Sequence, residues 1–277
     1  MKFRGFMLLV RLPMLACMGL FFCIALLGCV SSESSRLDAL TTPQPNALRE
    51  RALRRLSLAT AYFDQGQNTV AQQEVRAALQ IDPNYADAYN LLGLIHQRDG
   101  AANLAEQSFQ QALNLAMAEP SLGVALANVQ HNYGWFLCEQ NRWSDAHIQL
   151  SRALTQRTYS QTSKTWMALG ICQRKAGQIN DARISFENAF KQDDRNSMVR
   201  YQWASLEQNF NPAHAQELLM PLNRSTDANP ASLSLGIQLA LQLAQVQEAQ
   251  ALMAQLTHNF PNSTQARAWI QKTRQDQ

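Results

Sequence analysis

The feature that most constrains the fold is a pattern that recurs about every 34 residues after residue 47. Ala59, Gly93, Gly134 and Gly170 occupy equivalent positions, at spacings of 34, 41 and 36 residues. An alanine lies twelve residues and a phenylalanine sixteen residues after both Gly93 and Gly170. Such a repeat predicts a stack of similar helical units, because each unit can bury its apolar face only against its neighbours.

The residues within each unit resemble the tetratricopeptide repeat. The segment Tyr89–Ala112 matches an aromatic-x2-Leu-Gly pattern followed by Ala-x3-Phe-x2-Ala, and the segment Trp166–Ala189 matches it again. Small residues would let two helices approach closely, and the bulky residues would fill the remaining gaps. The resemblance implies an all-α tetratricopeptide-repeat superhelix of about six helix pairs plus a C-terminal capping helix.

The alignment of the repeats also predicts the organisation of the domain, which occupies residues 47–277. The predicted units are 52–85, 86–119, 127–160, 163–196, 197–229 and 230–262, with a cap at 263–275. The last two units are degenerate. The 41-residue spacing predicts an insertion of about seven residues, for which residues 119–123 would supply a loop.

Residues 1–28 are predicted to form a signal peptide. Lys2 and Arg4 precede an uncharged run, Leu15–Leu27, which is too short to span a bilayer as a helix. The run ends in Leu-Leu-Gly-Cys, which resembles the bacterial lipobox, so Cys29 is the expected lipidation site. The alternatives are an ordinary signal peptide or an N-terminal anchor helix that happens to contain cysteines.

Residues 29–46 are rich in serine, threonine and proline, a composition typical of a flexible tether. Val30 rather than aspartate follows the cysteine. By resemblance to Gram-negative lipoproteins, this implies a protein that is lipid-anchored in the outer membrane and faces the periplasm.

The charge balance argues against a nucleic-acid partner. The chain has 24 basic and 21 acidic residues, but three basic residues lie in the predicted signal peptide. The remaining chain is neutral, and a neutral chain does not predict the basic surface that nucleic-acid binding requires.

No catalytic motif is present in the sequence. The five histidines show no metal-ligand spacing such as HExxH, and there is no GxSxG, Walker or Rossmann motif. His96 falls at a packing position of its repeat. The sequence therefore predicts that the protein is not an enzyme, needs no cofactor and takes no small-molecule substrate.

Two cysteines remain beyond the predicted lipidation site. Cys138 and Cys172 both fall on first helices of successive units. A disulfide is conceivable in an oxidising compartment, but packed helices lie about 8–10 Å apart and a disulfide requires Cα atoms within about 7 Å. Two buried, unpaired thiols are the favoured interpretation.

The first helices are predicted to line a groove. Its four rungs are Leu53, Leu56, Thr60 and Phe63; Asp87, Asn90, Leu94 and Gln97; Asn128, His131, Trp135 and Cys138; and Lys164, Met167, Ile171 and Arg174. The residues predicted to bind a partner are Leu53, Leu56, Thr60, Phe63, Asn90, Leu94, His131 and Trp135.

Two readings of this groove remain open. The apolar first rung favours a slot for an amphipathic helix or extended peptide of a partner, but the same residues could instead be buried by a neighbouring segment. A clamp for a C-terminal carboxylate has candidates in Asn90, Asn128 and Lys164, but the set is incomplete.

The lipobox, the tether and the repeats together resemble the type IV pilus biogenesis and stability lipoproteins, the pilotins of the pilus secretin. The segments Ala61–Phe63, Asp82–Pro83 and His131–Cys138 carry this resemblance. It implies a protein-binding scaffold that binds the secretin subunit and promotes its outer-membrane localisation and multimerisation. The alternative is a scaffold lipoprotein of another envelope machine, such as β-barrel assembly or cell-wall synthesis.

Overall fold

The computed structural model describes residues 45–119 and 123–275, which form helices joined by short connections. The helices are α1 Pro45–Asp64, α2 Asn68–Ile81, α3 Ala86–Arg98, α4 Ala102–Ala118, α5 Gly123–Glu139, α6 Trp143–Leu154, α7 Thr162–Lys175, α8 Ile179–Gln192, α9 Ser197–Glu207, α10 Pro212–Asn223, α11 Pro230–Gln242, α12 Val246–Asn259 and α13 Thr264–Gln275. The predicted signal peptide, the lipidation site Cys29 and the tether up to residue 44 lie outside the described residues.

Consecutive helices form six pairs, from α1 with α2 to α11 with α12, and α13 follows the last pair. Each pair packs on the next, so that the pairs stack in chain order. This arrangement confirms the predicted all-α tetratricopeptide-repeat superhelix, because each unit buries its apolar surface mainly against its neighbours.

The predicted register is visible where the two helices of a pair approach most closely. A β-carbon on Gly93 would lie 2.7 Å from the ring of Phe109, and one on Gly170 would lie 2.9 Å from the ring of Phe186. Both aromatic rings are completely buried. Glycine is required at these two positions because any side chain would overlap a ring that has no free space around it.

The register continues into the degenerate sixth unit. A β-carbon on Gly236 would lie 3.1 Å from Leu252, which follows it by sixteen residues as Phe109 follows Gly93. The turn inside this unit is also equivalent, since Ala244 adopts a φ of 56°, close to the 75° of Gly100 in the second unit. The sixth pair is therefore a repeat in geometry although its sequence has diverged.

The two helices on either side of the predicted insertion, α4 and α5, are longer than the helices before them. Helices α4 and α5 have 17 residues each, whereas α2 and α3 have 14 and 13. Helix α5 already begins at Gly123, so the expected loop at 119–123 is wrong at its C-terminal end. The added turn of α5 is residues 123–126, in which Ala125 is buried, with 8% of its surface exposed.

Helix α13 closes the C-terminal end of the stack. Its residues Ala266 and Trp269 are buried with side chains of α11 and α12, and the Trp269 indole N–H donates to the Ser234 hydroxyl at 2.9 Å. Its outer face carries exposed polar residues such as Arg267 and Gln271. This is the predicted capping helix, which covers the apolar edge that the sixth unit would otherwise expose.

The core of the described residues extends through the whole stack of helix pairs. Its buried apolar side chains run from Ala52 to Trp269 and are contributed by every helix pair. Within the two described ranges, no helix combines the length and the apolar character needed to cross a bilayer.

Candidate partner-binding surface

The first helices of the units form the inner layer of the superhelix. Helix α1 contacts α3, α3 contacts α5, α5 contacts α7, and α7 contacts α9. The second helices pack mainly on first helices. Because helices on the inside of a curved stack lie closer together, this layer faces the concave side. We call its exposed side the concave surface.

The first rung of the concave surface is less apolar than the sequence suggests. Leu53 is 49% exposed and Thr60 is exposed, but Leu56 is only 8% exposed and belongs to the core. The guanidinium of Arg98 lies 3.4 Å from the centroid of the Phe63 ring and donates to the Phe63 carbonyl oxygen. Leu53 is therefore the only large apolar side chain of this rung that is widely open.

The second and third rungs are joined by polar side chains. The Asn132 amide donates to Oδ1 of Asn90 at 3.1 Å, and the Gln97 amide donates to Oε2 of Glu139 at 2.6 Å. Both pairs bridge α3 and α5, and they are seven residues apart on each helix. Asn90 is thus occupied in holding two units together, and it is 8% exposed.

Sequence reasoning missed Asn132 and Glu139 as partners in this bridge. The available signal was their spacing, since residues seven apart lie on the same face of a helix and match the spacing of Asn90 and Gln97. Leu94 lies between these two polar pairs on α3, where it is half-buried against buried apolar side chains of the neighbouring helices.

His131 is a buried structural residue. It is 6% exposed, and its Nδ1 lies 2.8 Å from the hydroxyl oxygen of Thr165 on the next first helix. The Tyr159 hydroxyl lies 2.7 Å from the same oxygen. Burial, assisted by the positive charge of Lys164, lowers the pKa of His131 to about 4. The imidazole is therefore neutral at pH 7 and lies beneath the groove surface on which the alignment placed it.

This buried imidazole predicts an acid sensitivity. The pKa of His131 is about 4 in the folded protein and 6.5 when unperturbed, so the unfolded chain binds the proton first as the pH falls. Its contribution to stability is complete above pH 6.5 and declines as the pH falls towards 4, with a loss of about 3 kcal/mol at pH 4. Urea unfolding at pH 7 and pH 4 measures this loss.

The matched variants are His131→Asn and His147→Asn, because His147 is exposed and shows no hydrogen bond or ion pair among the described residues. In His131→Asn the free energy of unfolding should fall less as the pH is lowered. In His147→Asn it should fall as much as in the wild type. An equally steep acid loss in both variants would contradict this account of His131.

The fourth rung supplies bridging groups and an exposed cation. Arg174 donates to the Ser205 hydroxyl at 3.2 Å and to Oε1 of Gln202 at 3.1 Å, so it ties α7 to α9. Lys164 is exposed, and Nζ of Lys175 lies 5.8 Å from the centroid of the half-buried Trp135 ring. Because Asn90 is already paired with Asn132, the carboxylate clamp considered from the sequence lacks one of its three candidates.

Cys138 and Cys172 are both buried and both carry free thiols. This agrees with the favoured interpretation of two buried, unpaired thiols, and the two side chains are near enough for each to shift the pKa of the other. The neighbouring Cys172 thiol, together with burial, raises the pKa of the Cys138 thiol, whereas the Cys138 thiol lowers the pKa of Cys172. The pair is therefore arranged so that Cys172 is the sulfur that ionises first.

The described residues contain no group of three or more His, Cys, Asp or Glu side chains that could hold a metal ion. The concave surface presents amide, hydroxyl and basic groups around a few half-buried apolar side chains. This chemistry suits an extended or helical protein segment, which presents backbone polar groups and apolar side chains together.

Comparisons with known proteins agree with this architecture. Sequence profiles of the TPR repeat and of the tetratricopeptide repeat match residues 59–100 and 84–158. The type IV pilus assembly protein PilF of Pseudomonas aeruginosa is 28% identical over 243 residues, which is 87% of this chain and 91% of PilF.

Two solved structures have the same fold. The structure of Pseudomonas aeruginosa PilF superposes with a TM-score of 0.68 at 26% identity and covers 81% of this chain and 99% of that one. The crystal structure of PilW, described as a widely conserved type IV pilus biogenesis factor, superposes with a TM-score of 0.70 at 25% identity and covers 79% and 98%.

Proposed function

We propose that this chain, a tetratricopeptide-repeat protein homologous to the type IV pilus biogenesis factors PilF and PilW, is an outer-membrane lipoprotein that binds the pilus secretin subunit and promotes its localisation and multimerisation. The observation that carries the proposal is the likeness to PilF, which extends over 87% of this chain and 91% of PilF.

The proposed mechanism is a local increase in concentration. A lipid on Cys29 would hold the repeat domain at the outer membrane, and a bound secretin subunit would share that location. Restricting subunits to one membrane raises their effective concentration and favours assembly into a multimer without any chemical step.

The proposed docking site is the concave surface of the first three units. Leu53 and Thr60 are exposed there, and Phe63, Leu94 and Trp135 are half-buried. Leu56, Asn90 and His131 lie beneath this surface and support it. Leu53 is the best probe of docking, because replacing an exposed side chain leaves the core packing intact.

Removing the lipidation site tests the proposal. The variant Cys29→Ala is expected to be absent from the outer-membrane fraction and to leave the secretin misplaced or unassembled, because the lipid is the proposed anchor. Incorporation of radiolabelled palmitate into the wild type but not into the variant checks the anchor itself. Normal secretin multimers in cells that carry only Cys29→Ala would separate anchoring from function and contradict the mechanism.

A pull-down from detergent-solubilised outer membrane then identifies the partner. Leu53→Glu should reduce recovery of the secretin at least tenfold, since a buried interface anchor contributes about 1–3 kcal/mol and an introduced carboxylate adds a desolvation cost. Ile184→Glu is the control, because Ile184 is 56% exposed on the second helix α8, away from the concave surface. Recovery of proteins from β-barrel assembly or cell-wall synthesis in place of the secretin would support the alternative scaffold function.

A further inference from the structure

Helix α1 carries an arginine at a position where the next four units carry a buried side chain. Counting five residues back from the small residue of each unit gives Arg54 in the first unit. The corresponding residues in the next four units are fully buried: Ala88, Val129, Thr165 and Val199. Arg54 is exposed. The first unit therefore departs from the pattern at a position that elsewhere packs against a neighbour.

A leucine on the same side of α1 is exposed for the same reason. Leu58 is 40% exposed, whereas its equivalents Tyr133 and Leu169 are 6% and 3% exposed. Tyr133 shows what such a residue normally contacts, since its ring lies 5.8 Å from that of Phe109 on the second helix of the preceding unit. The described part of the chain has no unit before α1, so this side of the helix is uncovered. We call it the end face and define it by Arg51, Arg54, Leu58 and Ala61.

The charge of the end face is not neutralised within the fold. Helix α1 has four arginines, of which Arg49 pairs with Asp82 and Arg55 pairs with Glu74. Arg51 and Arg54 are exposed and form no ion pair with any described residue. Glu50 is the only acidic residue among the first nineteen positions of the helix. Two uncompensated cations thus lie one and two turns before an exposed leucine on the same face of α1.

The position of the end face along the chain favours a membrane. The predicted tether runs from Cys29 directly into α1, with sixteen residues before Pro45. A flexible segment of that length spans about 20–25 Å on average. A lipid on Cys29 would therefore hold the end face close to the headgroups of the bilayer. This step depends on the proposed lipid anchor.

We propose that the end face of α1 rests on anionic phospholipid headgroups of the membrane that anchors the chain. Arg51 and Arg54 would pair with lipid phosphates, for which the planar guanidinium is well suited, and Leu58 would enter the shallow interfacial region. The superhelix then stands on the bilayer with later units pointing away, and the concave surface stays free for a protein partner. A packed protein helix would have to bury Arg54, which is unfavourable without an acidic partner.

The test uses residues 30–277 with an N-terminal polyhistidine segment bound to a nickel-chelating lipid, so its outcome does not depend on natural lipidation. The core between Ala52 and Trp269 is retained, and circular dichroism confirms the fold. Because Cys138 and Cys172 are buried, a fluorophore can be attached selectively at Leu58→Cys or, as a reference, at Ile184→Cys. Quenching by headgroup nitroxides reports contact with the vesicle surface.

On vesicles of phosphatidylethanolamine and phosphatidylglycerol at 3:1, the label at position 58 should be quenched several times more strongly than the label at position 184. Each arginine should change the equilibrium for surface contact about fivefold. Arg51→Ala/Arg54→Ala or 0.5 M salt should therefore bring the label at 58 to the reference level. The control Arg152→Ala/Arg157→Ala removes two exposed arginines of the third unit and should have no effect.

Equal quenching at positions 58 and 184 on the anionic vesicles would overturn the proposal. So would quenching at 58 that survives loss of both arginines. If the purified secretin shields the label at 58 while anionic vesicles do not, the end face is a protein-binding site instead. None of these outcomes bears on lipidation of Cys29, which the palmitate experiment tests separately.

Discussion

Replacing Gly93 by leucine is expected to destabilise the protein by about 3 kcal/mol or more. Even a β-carbon at this position would lie 2.7 Å from the fully buried ring of Phe109, and a leucine adds three further carbons. Overpacking typically costs about 1–3 kcal/mol, and the cost is at its highest where the obstructing atoms belong to an enclosed ring. The higher helix propensity of leucine returns only about 1 kcal/mol. Gly170→Leu, facing Phe186 at 2.9 Å, should behave in the same way.

Urea unfolding followed by circular dichroism measures both effects. The control is Ala251→Leu, at an exposed position within α12, which should change the free energy of unfolding by less than about 0.5 kcal/mol. A second variant tests the cause, because adding Phe109→Ala to Gly93→Leu should recover part of the lost stability by removing the obstruction. An unchanged unfolding midpoint in Gly93→Leu would mean that the repeat register is wrong.

The fold was predictable because the repeat carries its own register. Gly93 and Phe109 are sixteen residues apart, and the same separation recurs in Gly170 and Phe186, so the sequence alone predicts which residues meet inside a pair. These contacts are local, and each depends on a single turn of fixed length. The contacts between the two helices of a unit could therefore be predicted residue by residue. The order of the units predicted only that they stack.

Contacts between units were predicted less well, because they depend on the rotation of one pair against the next. Arg98 reaches back 35 residues to cover Phe63, and Thr165 lies 34 residues beyond His131, whose ring it contacts. A count along the sequence places these side chains on the first-helix layer but does not say which of them a neighbour covers. For this reason Leu53 is the main exposed apolar side chain of the first rung, although the sequence predicted three.

The separation of the Cys138 and Cys172 thiols was also difficult to predict, because the two residues lie in different units. The spacing of packed helices favoured two unpaired thiols over a disulfide, but side chains that point towards each other shorten the gap between the sulfur atoms. In the structure both thiols are buried and free, and each shifts the pKa of the other. We therefore expect a mild oxidant such as oxidised glutathione to join them in a disulfide, with Cys172 attacking as the thiolate because its pKa is the lowered one.

Formation of this disulfide is expected to stabilise the protein by about 4 kcal/mol. The bond would close a loop of about 35 residues, and the loss of chain entropy in the unfolded state accounts for a gain of that size. It would also join α5 to α7, so the concave surface would become more rigid where the third and fourth units meet. Intact mass under non-reducing conditions detects the loss of two hydrogens, and urea unfolding with and without a reductant measures the gain.

The variant Cys138→Ala separates the covalent bond from general effects of the oxidant. It should show no difference between oxidising and reducing conditions, while the wild type differs by about 4 kcal/mol. A wild-type protein that stays reduced, or that forms the bond without gaining stability, would contradict the expectation; the second result would mean that strain in the folded state cancels the entropic gain. In an oxidising compartment such as the periplasm, where the lipoprotein proposal locates the chain, the bonded form would be the working state of the scaffold.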